Sequence, residues 1–216
     1  MEPVYLYIKD LKMLENISNN SPGVYNHKKR FSHISQKIVS NIIHNVFKID
    51  RKKQIFSRTS FGKLFLVDFT NIFFNLSYAG TTCFFIFSRQ GPVGIDAEEN
   101  HKRMLKPLDL VSAFHPEEYK FFLGNTEKGI SNLLYKTWVI KEATIKTVGQ
   151  GFHFDIRQLN TIPLLSRKRE SVFASNKIIW TSAHYKHPFI YSLAREKYPI
   201  SNIISLSDKH ALKEWR

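Results

Sequence analysis

Residues 130–151 constrain the fold more than any other stretch of this chain. Ile130, Leu133, Leu134, Trp138, Ile145 and Val148 recur at spacings near three and four, the period of a helix with one apolar face on a core. The helix ends at the Gly149-Gln150-Gly151 turn. On it Glu142 and Lys146 stand four positions apart and share one face. Such a pair has an ordinary explanation, because opposite charges at this spacing stabilise an exposed helix by about 0.2–0.5 kcal/mol.

A second motif upstream changes the weight of that pair. Gly91-Pro92 turns the chain into Val93-Gly94-Ile95-Asp96-Ala97-Glu98. In a strand Asp96 and Glu98 point to the same side. Two acids side by side repel each other unless a cation, a basic partner or full solvation relieves them. Gly94-Ile95-Asp96-Ala97-Glu98 followed by Trp138-Val139-Ile140-Lys141-Glu142-Ala143-Thr144-Ile145-Lys146 resembles the paired signature of the 4'-phosphopantetheinyl transferase superfamily.

Members of about this length, the Sfp type, are built as two similar α/β halves packed across a pseudo-twofold axis. The resemblance therefore implies an α/β (α+β) fold with residues 1–105 as an N-terminal half, basic and holding coenzyme A phosphates, and 106–216 as a C-terminal half. It implies a monomer that transfers 4'-phosphopantetheine from coenzyme A to a serine of an apo acyl or peptidyl carrier protein, with Mg²⁺, releasing 3',5'-ADP. Mg²⁺ prefers oxygen ligands, and Asp96, Glu98 and Glu142 match the family's metal carboxylates. Lys146 matches a phosphate-facing lysine. Glu142 is the first candidate for the base that takes the serine proton. Glu118, in a Phe114-to-Glu118 segment resembling the family's Phe-x-x-x-Glu element, is the second.

Coenzyme A contacts carry over from three further segments. Arg30 and Lys37 lie on a helix expected over about 28–46, off its Ile34-Ile38-Ile42 stripe. Phe61-Gly62-Lys63 resembles the family's Gly-Lys-Pro element, with Leu64 in place of proline, and points to Lys63. Phe74-Asn75-Leu76-Ser77-Tyr78 resembles Phe-Asn-Leu-Ser-His-Ser. Ser77 matches, but Tyr78 stands where a phosphate-binding histidine is usual. A tyrosine donates a hydrogen bond without positive charge, so that contact is expected to be weaker or taken over by lysines.

Charge supports an anionic partner. The chain carries a formal +14, and ten lysines and arginines between residues 26 and 63 face one acid, Asp50. This also admits a basic nucleic-acid-binding module as a competing class, and Tyr78 keeps alive a member that binds coenzyme A without transferring anything. A small acidic site beside a basic region has little use in a plain nucleic-acid binder, so nucleic acid is not the expected partner. No run of eighteen apolar residues proposes a membrane span. The N-terminus lacks a basic segment leading into an apolar run, and the lone Cys83 suits a reducing cytoplasm.

Along the chain, strands are expected at 4–8, 64–68, 82–88, 93–96, 171–174, 177–182, 189–194 and 200–206, and a short helix at 11–17. Pro116 starts another helix, with Glu117 and Glu118 in its first turn. His184, Lys186 and His187 read as a polar turn before Pro188 rather than a metal site, for want of further ligands nearby.

Overall fold

The computed structural model describes residues 1–15, 27–99, 113–124, 130–166 and 170–212. The helix expected at 11–17 forms as α1 (Lys12–Glu15), and its residues 16–17 and the lead-in at 109–112 lie outside the described stretches.

The first sheet is organised by its most apolar strand. Strand β1 (Val4–Asp10) pairs antiparallel with β5 (Thr82–Ser88), and β5 pairs antiparallel with β4 (Phe73–Ala79). β5 is buried along its whole length, as an unbroken Cys-Phe-Phe-Ile-Phe run requires of a strand covered on both faces. Phe85 and Phe87 face helix α2 (His27–Phe47), where Ile34, Ile38 and Ile42 form the predicted stripe. Phe84 and Ile86 face the other way, onto Val93, Ile95 and Leu193 of a second sheet.

That second sheet runs β6-β9-β8-β7, from β6 (Val93–Glu99), β9 (Phe189–Glu196), β8 (Lys177–Lys186) and β7 (Ser171–Ala174), all antiparallel. Helix α4 (Ile130–Val148) covers its outer face through Ile140 and Ala143 against Val172, Ile179 and Ala194. The layers are therefore helix, sheet, sheet, helix. Among the described residues no helix is long and apolar enough to cross a membrane.

Each half repeats one connectivity: a strand, a long helix, then a hairpin whose last strand returns beside the first. This agrees with a mixed α/β fold of two similar halves. The boundary at residue 105 does not follow the sheets, however. β6 lies before it but opens the second sheet, because the opening strand must precede its own helix. The short β10 (Ile203–Ser205) lies after it but adds parallel to β1.

Smaller elements place the site. β2 (Phe56–Arg58) and β3 (Leu64–Leu66) form a hairpin whose turn holds Gly62 at φ +81°, a left-handed conformation that suits glycine. Helix α3 (Pro116–Leu123) starts at Pro116 as expected, with His115 capping the Glu117 amide. His184 and Lys186 correct the sequence reading. They lie within β8, because its pairing with β9 continues to Lys186 opposite Phe189, and His184 stacks on Tyr191.

Candidate functional site

The site begins with a close approach of backbone to backbone. A Cβ on Gly94 would stand 2.2 Å from the Ala143 carbonyl oxygen and 2.5 Å from Thr147 Oγ1, so only glycine lets β6 lie this near α4. Two residues on, and on the same face, Asp96 meets Lys146. Lys146 Nζ lies 2.6 Å from Asp96 Oδ1, Ser77 Oγ donates to the same oxygen at 2.9 Å, and Lys146 Nζ also donates to Ser77 Oγ at 3.1 Å. Asn75 Oδ1 accepts from the Ile95 amide at 3.1 Å, tying β4 to β6 beside this cluster.

Three carboxyls share one field here. Burial raises Asp96 above its usual range, against the pull of Lys146. Burial and then Asp96 raise Glu98, which accepts a hydrogen bond from Trp138 and also feels Glu142. Burial and then Asp96 raise Glu142. The helical pair expected between Glu142 and Lys146 is not formed, since Lys146 reaches across to Asp96 instead. Asp96 Oδ2 is buried with no hydrogen-bond partner. A buried, unsatisfied carboxylate oxygen is costly unless something cationic meets it. Among the described residues no group of three carboxylate, imidazole or thiol side chains stands as a metal cage. Even so, an orphaned oxygen flanked by two mutually repelled carboxyls fits a hard divalent cation that takes its other ligands from substrate and water.

Two clefts flank the cluster. One, of about 860 Å³, is lined by Trp138, Glu142, Lys146, Phe61, His153 and Arg157. The other, of about 600 Å³, lies between α2 and the β2–β3 hairpin and is lined by Ser35, Gln36, Arg58 and Tyr78. Gly62, Lys63 and Asn75 line both.

The residues matched to coenzyme A divide between these places. Ser77 and Tyr78 are adjacent in β4, and the pleat sends them to opposite faces. Ser77 goes to Asp96, while Tyr78 hydrogen-bonds Ser35 on α2 in the smaller cleft. Burial pushes the Tyr78 phenol up to about 12, so it is neutral. Lys63 Nζ turns to the carbonyls of Lys146, at 2.6 Å, and Val93, at 3.2 Å. Burial lowers its pKa to about 8. Arg30, half-buried, and Lys37, exposed, line neither cleft, although Phe31, Ser32, Ser35 and Gln36 on the same helix do. Arg58 was legible only as one cation in a basic run. It lines the smaller cleft with Nη1 on the Gly62 carbonyl at 2.8 Å. Its position four residues before the Gly62-Lys63 element was the available signal.

Glu118 is a correction. It is fully buried and saturated: Oε2 takes Lys141 Nζ and the His115 amide, each at 2.8 Å, and Oε1 takes the Thr161 amide at 2.8 Å and Thr161 Oγ1 at 2.7 Å. Lys141 also donates to the Ile156 and Leu159 carbonyls. A carboxylate sealed in this way has no path to a substrate hydroxyl. It clamps α3 and the 156–161 segment onto α4.

A family model described as the 4'-phosphopantetheinyl transferase superfamily matches residues 92–201, more than half of the chain. The chain is 30% identical over 117 residues to 4'-phosphopantetheinyl transferase Sfp of Bacillus subtilis, covering 53% of this chain and 50% of that one. It is 28% identical over 149 residues to 4'-phosphopantetheinyl transferase gsp of Aneurinibacillus migulanus, covering 64% and 60%. It is 33% identical over 79 residues to a holo-[acyl-carrier-protein] synthase of Mycoplasma mycoides, covering 35% of this chain and 72% of that one. The chain thus spans about half the length of the first of these curated relatives. The matched stretch holds both the Asp96 strand and the Lys146 helix, and on these grounds the chain belongs to the 4'-phosphopantetheinyl transferase superfamily.

Proposed function

We propose that this protein transfers 4'-phosphopantetheine from coenzyme A to a serine of an apo acyl or peptidyl carrier protein. The observation that carries the reading is Asp96 Oδ2, buried without a partner among three mutually repelled carboxyls and next to Lys146. That is a site for a cation that could meet the negative charge of a diphosphate. A divalent cation, Mg²⁺ in this reading, would be held by Asp96, Glu98 and Glu142 and would stabilise charge on the diphosphate oxygens.

The chain's own groups supply the rest. Lys146 offsets charge on the transferred phosphoryl group. Ser77 orients Asp96, and Trp138 orients Glu98. Glu142 takes the serine proton, directly or through a water molecule. The serine oxygen bonds to the phosphorus that bears pantetheine, the diphosphate P–O bond breaks, and 3',5'-ADP leaves. The smaller cleft takes the nucleotide end, with Arg58 in its wall. Arg30 and Lys37 add to the positive field on that side.

The test is intact mass. Incubation of the protein with coenzyme A, Mg²⁺ and apo fatty-acid, polyketide and nonribosomal carriers is expected to add one phosphopantetheinyl group to at least one of them. No gain on any carrier would overturn the proposal. Coenzyme A binding by calorimetry without any gain would leave the coenzyme-binding, non-transferring reading that Tyr78 motivates. Salt-sensitive RNA or DNA binding without coenzyme A binding would favour the basic module.

A further inference from the structure

Lys63 lies where the two clefts meet and lines both, and its ammonium is held there by two backbone carbonyls. The side chain crosses the end of α4 at Gly149, where an added Cβ would stand 3.9 Å from Lys63 Cδ. It delivers Nζ to the Lys146 carbonyl in the last turn of α4 and to the Val93 carbonyl at the start of β6. The last carbonyls of a helix lack intrahelical donors and carry the negative end of its dipole, so a lysine there is a favourable cap. This cap comes from the β2–β3 hairpin, far away in sequence.

The two backbones it joins belong to the two elements whose side chains meet at the site. Lys146 gives Lys63 its carbonyl and gives Asp96 its ammonium, and Val93 opens the strand that carries Asp96. Other charges around Lys63 are Lys177, which disfavours its protonation, and Glu196, which favours it. Those two are themselves paired at 2.8 Å. Lys63 is therefore held by carbonyl oxygens and the helix end rather than by an acid of its own.

We propose that Lys63 is a positioning residue: it clasps the C-terminal end of α4 to the start of β6 and so sets Lys146 against Asp96, rather than gripping a phosphate of coenzyme A. The proposal rests on the transferase reading for its catalytic consequence but not for the clasp. With Lys63→Met, kcat is expected to fall about 10- to 100-fold, the cost of small misplacements at a reacting centre. KM for coenzyme A should stay within about twofold, and the loss should be the same with 3'-dephospho-coenzyme A as donor. Amide hydrogen exchange in the last turn of α4 should quicken in the same variant, a readout that needs no catalysis.

A raised KM with kcat kept, or a loss confined to the donor bearing the 3'-phosphate, would overturn the proposal and make Lys63 a phosphate ligand. Unchanged exchange at residues 145–148 would overturn the clasp itself. Should Lys63→Met not fold, Lys63→Gln, which keeps a neutral N–H donor group on a shorter side chain, is read by the same criteria. Wild-type protein that transfers to no carrier refutes the function while leaving the exchange result to decide the clasp.

Discussion

Lys141 and Lys146 sit on one helix and each holds a carboxylate, at 2.8 and 2.6 Å, yet the two pairs serve opposite ends. Lys141 and Glu118 have no exposed side-chain surface, and both oxygens of Glu118 are satisfied by protein donors. Around Asp96 one oxygen takes both Lys146 and Ser77, and the other takes nothing. Both pairs are costly to bury. Only the second leaves that cost partly unrelieved, and unrelieved polarity beside a cleft is what a ligand can use. Glu118 is saturated by the protein, and Asp96 keeps a deficit that a ligand can meet, as the proposed function requires.

The largest expected effect breaks the open pair. Asp96→Asn and Lys146→Met should each cut transfer by at least about 10³-fold, the scale of losing a key charge-stabilising group. In Asp96→Asn, which leaves the partly exposed Lys146 free to reach water, melting temperature should move by only a few degrees. Near-normal turnover in either variant, measured by intact mass of the carrier, would remove that residue from the mechanism.

Breaking the closed pair should do the reverse. Glu118→Gln or Lys141→Met leaves an uncompensated buried group and should cost about 3–5 kcal/mol in denaturant unfolding. At low temperature kcat should stay within a few-fold of wild type. Replacing both partners by apolar residues should recover part of the stability. A kcat collapse in folded Glu118→Gln would return this residue to the chemistry.

The third effect is on pH. Asp96, Glu98 and Glu142 have carboxyls raised above their ordinary range, so the folded chain keeps protons that the unfolded chain has released. Their contribution to stability is full below the ordinary carboxyl range and is lost as pH climbs through the raised values. A cation competes with those same protons. The rise in melting temperature on adding Mg²⁺ should therefore be larger at pH 8 than at pH 5. An equal rise at both would place the ion elsewhere.

The smallest effect belongs to Tyr78. Tyr78→Phe removes the hydrogen bond to Ser35 and should cost about 1 kcal/mol in unfolding, with kcat unchanged. A kcat loss would mean that the phenol reaches the reacting groups after all.

The parts of this site that depend on local period were readable. Spacing placed α4 and the stripe of α2, put Asp96 and Glu98 on one side of a strand, and put Glu142 and Lys146 on one side of a helix. The partners of those side chains were not readable. Glu142 and Lys146 look like a pair at i,i+4, but the approach of β6 at Gly94 offers Lys146 a buried carboxylate instead. Glu118 looks like a helix-capping acid, and its His115 amide bond is indeed a cap, but Lys141 and Thr161 close around it from elsewhere in the chain. Ser77 and Tyr78 read as one contact until the pleat separates them.

Residue order alone therefore settles which side chains share a face, because that follows from 3.6 residues per helical turn and two per strand repeat. Which face meets which is a matter of long-range packing: the sheets close on Phe84, Ile86, Val93 and Ile95, and a missing Cβ lets a helix touch a strand. A carboxylate becomes saturated or stays hungry only after those surfaces have met, since its partners come from segments that no local period connects.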